Sequence, residues 1–324
     1  MSNVKTCNKR SITQFVMQNT RYFIFVFLIV LFAVLSPKFL RWKNISNLLL
    51  TTTPLAVATV GTTFVILSGG IDLSIGSIIL VSGSVGVYVG NTGVGFFPAM
   101  LAAIASGLLA GCFNGLLIAK FKLVPFLATL ATSSFFRGLI LQFGNSGYIS
   151  CKDMTFMTTV TQTRILGIPL ITWLLAVIVL LAELLLKKTS YGWHLYAVGN
   201  NAEAASKIGI KTGRIKFIAY AICGALAGVT GFLNMCMVGS VPTNFGEGQE
   251  FTIISAVVLG GVSLLGGKGN IFPGAIVGIF IFTMIENGMT LMSANAYFYT
   301  VVRAAVIFLA ILIDSITKKN SELR

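Results

Sequence analysis

Charge is what this sequence has least of. Of 324 residues only 10% are Asp, Glu, Lys or Arg, while 56% are hydrophobic; a typical soluble domain carries about 25% charged residues. Mean hydropathy is +0.90. A water-exposed globule cannot bury that share of apolar surface, whereas a chain dissolved in lipid need not. Histidine is also scarce: His194 stands alone, in a basic loop where a surface role suits it. The five cysteines (Cys7, Cys112, Cys151, Cys223, Cys236) form no spaced cluster, so neither a metal nor a structural disulfide is expected, and three of them lie in apolar runs where Cys acts as a small hydrophobe. No nucleophile–base–acid set is visible. The nearest approach to a phosphate loop, Gly266-Gly267-Lys268-Gly269, lacks the upstream glycine and the following Ser/Thr. An enzyme, and an ATP site of the usual kind, are therefore not expected, and no cofactor is implied.

What is present is apolar length. Ten runs are long enough to cross a hydrocarbon layer about 30 Å thick: 22–36, 47–68, 73–91, 96–119, 123–143, 168–186, 215–237, 251–266, 270–292 and 298–316. The first and eighth are short. The first could be the core of a signal peptide, but Ser36-Pro37-Lys38 offers no small-x-small cleavage site, so a retained span is expected. Pro98, Pro125, Pro169 and Pro273 sit near the starts of spans, where a missing N–H costs little; Pro54, inside the second run, should bend it.

The formal net charge is +14, from 23 Lys+Arg against 9 Asp+Glu. No basic stripe with interleaved aromatics suggests nucleic acid. With ten spans and both termini cytoplasmic, 16 Lys/Arg fall inside, 5 outside, and Arg137 and Arg303 within spans, the bias expected of cytoplasmic loops. The reading is an all-α membrane protein, a single bundle of about ten transmembrane helices over 1–324, with a cytoplasmic segment at 1–21 and a long cytoplasmic loop at 187–214. A second long loop, 144–167, faces outward.

The 34 glycines are organised. Gly86/Gly90, Gly107/Gly111/Gly115, Gly224/Gly228 and Gly274/Gly278 follow small-xxx-small spacing, which lets membrane helices approach closely. Residues 68–77 interrupt two apolar runs with Gly69, Gly70, Asp72 and Ser74: the glycines permit an unwound turn, and Asp72 or Ser74 can cap the following helix. Either an ordinary capped turn or a moving element fits. In the inner loop, Gly199, Asn200, Asn201, Glu203, Ala204, Ala205, Ser206 and Gly209 make a short helix of small residues, capped by Asn200 or Asn201, charged favourably by Glu203 and ended by Gly209. A decorative helix and one that enters a partner's groove both fit that pattern.

The Gly-Gly-Ile-Asp-Leu-Ser run, the Gly-Asn-Asn-Ala-Glu-Ala-Ala loop and Leu259-Gly260-Gly261-Val262-Ser263-Leu264-Leu265-Gly266-Gly267-Lys268-Gly269 occur in that order. Together they resemble the ribose-type monosaccharide permeases of ABC importers, over essentially the whole chain. The resemblance implies a type II importer-like permease in the bacterial inner membrane, paired with a second permease copy or paralogue. It also implies a cytoplasmic ABC ATPase, an external solute-binding protein that delivers a ribose-like sugar or similar small polar solute, and a coupling role for 199–210. Val262, Pro273 and Glu286 depart from the residues usual in that family.

Glu286 lies within a span, where an acid needs a partner or water. With the turn placed near Asn295, Glu286 and Arg303 reach similar depth, so an ion pair is expected. Arg137 is read as snorkelling to the outer surface, Glu183 as pairing with Lys187, and Asn114, Asn234 and Asn287 as bridging helices, with Asn114 and Asn287 also candidates for lining a path. An ion-coupled carrier would need titratable intramembrane carboxylates; Glu286 alone sits deep.

Overall fold

The computed structural model describes residues 21–143, 149–295, 298–299, 301–306 and 308. Helices dominate: α1 (Arg21–Leu35), α2 (Trp42–Leu67), α3 (Ile75–Gly90), α4 (Phe96–Ala119), α5 (Pro125–Phe143), α6 (Met154–Gln162), α7 (Leu170–Lys188), α8 (Ser190–Asn200), α9 (Ala202–Lys207), α10 (Thr212–Val238), α11 (Gln249–Leu259) and α12 (Ile276–Leu291), with residues 301–306 also helical. Two ladders of two residues per strand, Ile149–Ser150 against Ser240–Val241 and Arg164–Ile165 against Ile168–Pro169, tie loops together. Among the described residues, five stretches are long and apolar enough to cross a membrane: Trp42–Leu67, Phe96–Ala119, Leu170–Lys188, Thr212–Val238 and Ile271–Leu291. The protein is an all-α membrane protein.

Several run boundaries move. The run expected at 251–266 is helical only to Leu259, because Gly260 and Gly261 (φ +85°) turn the chain out of the helix. The run expected at 270–292 begins with an irregular turn, Ile271–Ala275, whose Phe272 is extended (φ −112°, ψ 131°), before α12 starts. α2 continues through Pro54. Most of the run at 298–316, all of 1–20 and Cys7 lie outside the described residues.

α2 is the axis of the bundle. Of its most apolar window 83% is buried, against 22% for α7. A helix that is apolar all round is surrounded by protein, whereas in α4 and α7 the apolar outer face meets lipid. α10 packs against α2, α3 and α4. Along α4 and α10 the glycine spacing does what it predicts: Gly107 and Gly111 lie against the backbone of Gly224 and Gly228, and a Cβ at any of the four would collide with main-chain atoms. Without water to drive association, this close backbone contact supplies the packing. α11 and α12 close on α2's other side.

Candidate functional site

At one end of the bundle, α2 stops at Leu67. Gly69 takes a left-handed φ of +77°, and Ser68 Oγ donates to Val65 O at 2.7 Å, so the turn leaves Leu67 O without a helical donor. Gly267 N–H supplies one, donating to Leu67 O at 3.0 Å. Gly199, near the end of α8, lies against the same carbonyl and against Gly267 so closely that a Cβ has no room. Asn200 Nδ2 donates to Gly267 O at 3.4 Å, and Tyr196 Oη donates to Gly269 O at 2.8 Å. Gly266 packs on Gly69. The three glycine motifs therefore meet at one point, through Gly69, Gly199 and Gly267, residues more than 60 positions apart in the chain.

From this hub α9 projects. The structure corrects the expected extent of the helix: Gly199 and Asn200 belong to α8, and Asn201 (φ −159°, ψ 102°) is extended and separates the two helices. Asn201 Oδ1 accepts from Ala204 N–H at 2.9 Å, capping α9. Glu203 and Lys207 pair at 2.8 Å across one turn, both largely in solvent. Ala205 is buried and anchors the helix; Glu203, Ala204, Ser206, Ile208 and Gly209 are exposed. Ile208 is 77% exposed and Trp193, on α8, 69%. Apolar side chains and a cap of small residues thus face outward beside the hub, among the chain's basic loops. Nearby, burial pushes the Tyr196 hydroxyl above its usual value, with Glu183 adding to the shift.

The 68–77 turn continues inward. Asp72 and Ser74 have no exposed surface. Ser74 occupies the N-cap position of α3, but its side chain does not cap. Instead Asp72 Oδ1 accepts from Ser74 N at 2.8 Å and Ser74 Oγ at 2.5 Å, an Asx turn. Asn114 Nδ2 donates to Ser74 Oγ at 2.6 Å, so Asn114 joins α4 to this turn and, fully buried, lines no open path here. Thr129 Oγ receives Leu73 N–H at 3.1 Å, and Tyr220 Oη donates to Ile71 O at 3.2 Å. The unwound segment is thereby tied to α4, α5 and α10, as the membrane interior demands of backbone that has left a helix.

Farther along α12, Arg303 donates to Glu286 Oε1, with both side chains about one-third exposed (37% and 35%). Asn287 and Asn44 exchange amide bonds at 2.9 and 3.0 Å, and Thr52 Oγ donates to Thr283 Oγ at 2.8 Å; these join α12 to α2. Glu183 pairs with Lys187 at 2.6 Å and also accepts Phe272 N–H at 2.7 Å. The Arg137 guanidinium donates to Thr243 O at 3.1 Å and Phe245 O at 3.4 Å, carbonyls freed by the non-helical stretch before α11.

Tyr196, Tyr220, Thr129 and Asn44 were not singled out by sequence reasoning. Only the distant partner of each gives it meaning. In the Gly266–Gly269 loop, Gly266 and Gly267 are buried against Gly69 and Asn200.

A family model described as branched-chain amino acid transport system / permease component matches residues 44–311. The ribose import permease protein of Escherichia coli K12 is 36% identical over 89% of this chain and 90% of its own length. That of Bacillus subtilis 168 is 37% identical over 96% and 97%. The autoinducer 2 import system permease protein of Escherichia coli K12/DH10B is 33% identical over 89% and 83%. No solved structure matches this chain.

Proposed function

The chain belongs to the branched-chain amino acid transport system / permease component family, and from that premise we propose that it is the membrane-spanning permease subunit of an ABC importer for a ribose-like monosaccharide or similar small polar solute. The curated relatives at 36–37% identity are ribose import permeases, and coverage of nearly the full length of each chain supports carrying the activity over. The chain is a transport subunit; ATP hydrolysis falls to a partner.

The observation that carries the mechanism is the hub. A cytoplasmic ABC ATPase would seat α9 and the exposed Ile208 in a groove. A push on α9 reaches Gly199, whose contact with Leu67 O and Gly267 leaves no slack. The same displacement then enters α2 through its last carbonyl and the α11–α12 connection through Gly267. Moving those two elements against each other is what alternating access requires. Selectivity belongs to an external binding protein, which fits the few charged side chains within the spans.

Ten spans fit this reading: the five long helices, α1, α3, α5 and α11, and the run at 298–316, in a type II importer-like arrangement working as a dimer. The Lys/Arg bias supports a cytoplasmic hub and cytoplasmic termini in a bacterial cell. Within that scheme Glu286–Arg303 and Asn44–Asn287 hold α12 in place rather than touching cargo.

Co-purification in detergent with a co-expressed ABC ATPase tests the proposal, comparing wild type with Glu203→Arg/Ala204→Glu. Loss of the complex with the permease still folded is expected; an unchanged complex removes α9 as the docking element, and no ATPase association at all favours an ion-coupled carrier. Uptake competition between labelled ribose and leucine separates the cargo named by the relatives from the cargo named by the family.

A further inference from the structure

α7 is the least buried of the long apolar helices, yet its outer face is not uniform. Ala176, Val179, Leu180, Glu183, Leu184 and Lys187 recur at three- and four-residue spacing, one stripe along the helix. The Phe272 ring, on the irregular turn before α12, stands beside that stripe, 56% exposed, and turns it into a groove of about 430 Å³. The hydrogen bond from Phe272 N to Glu183 Oε1 at 2.7 Å holds the wall in place. Apart from Glu183 the groove is apolar from Ala176 to Leu184, and at its end stand Lys187 and Lys188. Glu183 neutralises Lys187; Lys188 has no acidic partner among the described residues.

We propose that this groove binds one anionic phospholipid, its acyl chain along the Ala176–Leu184 stripe and its phosphate on Lys187 and Lys188. The chemistry is complementary at both ends: apart from Glu183, whose carboxylate is engaged by Phe272 N–H and Lys187, the stripe offers carbon to an occupant, and the end carries one uncompensated positive charge. From residue 176 to 188 the helix rises about 18 Å, close to the depth of one leaflet, about half of a 30 Å hydrocarbon core. Lysines at that boundary attract anionic headgroups, each strengthening binding about fivefold. Bulk lipid slides over a convex helix, whereas Phe272 gives this site a second wall. Because that wall is part of the connection between α11 and α12, an occupied groove braces the segment that the hub moves.

The test is native mass spectrometry of the detergent-purified full chain with dioleoyl-phosphatidylglycerol, dioleoyl-phosphatidylcholine or glycerol 3-phosphate. One phosphatidylglycerol should be retained about fivefold over phosphatidylcholine, with added salt eroding the difference. Lys188→Gln should abolish the preference, and Leu180→Trp, which fills the groove, should lower retention of both lipids. Equal retention of the two lipids, or a preference that survives Lys188→Gln, would overturn the proposal. So would glycerol 3-phosphate binding alone, which would mean a free-anion site. A Leu184→Cys disulfide between two copies would overturn it too, because the groove would then be covered by protein.

Discussion

Replacing Gly199 by alanine tests the hub with a single methyl group. A Cβ at this position would lie against Leu67 O and Gly267 N, both main-chain atoms, so no side-chain rotation relieves it. The Leu67 O–Gly267 N hydrogen bond of 3.0 Å must open, at about 1 kcal/mol. The strain of pushing two backbones apart adds about 1–3 kcal/mol, for a total of about 2–4 kcal/mol. Two other glycines calibrate the effect. Gly138, on α5, has a helical backbone and open space for 4 Å around the point where a methyl would stand, so Gly138→Ala should be neutral or stabilise by up to about 1 kcal/mol. Gly209 is equally open but has φ +89°, so Gly209→Ala should carry only the left-handed cost, about 1–2 kcal/mol. Thermal denaturation in detergent should therefore rank the variants Gly138→Ala, Gly209→Ala, Gly199→Ala in falling order. Because the exposed face of α9 is untouched, Gly199→Ala should still co-purify with the ATPase while solute uptake falls. A Gly199→Ala protein that melts with Gly138→Ala and transports at the wild-type rate would refute the close contact and the relay built on it.

Glu286→Gln and Arg303→Gln should each lower folded yield, and the double variant should lose less than the sum. The coupling should be about 1 kcal/mol for a pair one-third exposed; additive losses would mean the two groups act separately. Asn44→Leu and Asn287→Leu should likewise be coupled by about 1 kcal/mol, two interhelical amide bonds at about 0.6 kcal/mol each, read as the thermal stability of the single and double variants.

That the chain dissolves in lipid was legible because lipid imposes a length and a composition that survive in any window of the chain. That the glycine-spaced helices pack closely was legible for the same kind of reason, since four-residue glycine spacing has one main use between membrane helices, although the pairing of α4 with α10 was not. Motif by motif, the sequence also marked the hub, but not that its parts touch. Gly199, Gly69 and Gly267 look alike as punctuation; what distinguishes them is the one carbonyl, Leu67 O, that they surround. Boundaries failed where glycine ended a helix inside an apolar run, as at Gly260, because hydropathy does not register backbone conformation. Ser74 shows a subtler limit: a hydroxyl at a capping position was taken by a nearer acceptor, Asp72, and by Asn114 from another helix. Arg137 found carbonyls on a loop more than 100 residues away, which no local pattern foretells.

The seam between α4 and α10 bears on how this chain can be taken apart. Where main chain touches main chain, each helix is part of the other's mould, and there is no layer of side chains to absorb a mismatch. A chimera that grafts α10 from a relative while keeping the native α4 would meet that seam as a keyed joint cut for a different key. Exchanged as a pair, the two helices carry their fit with them, and the natural unit of inheritance here is the couple rather than the helix.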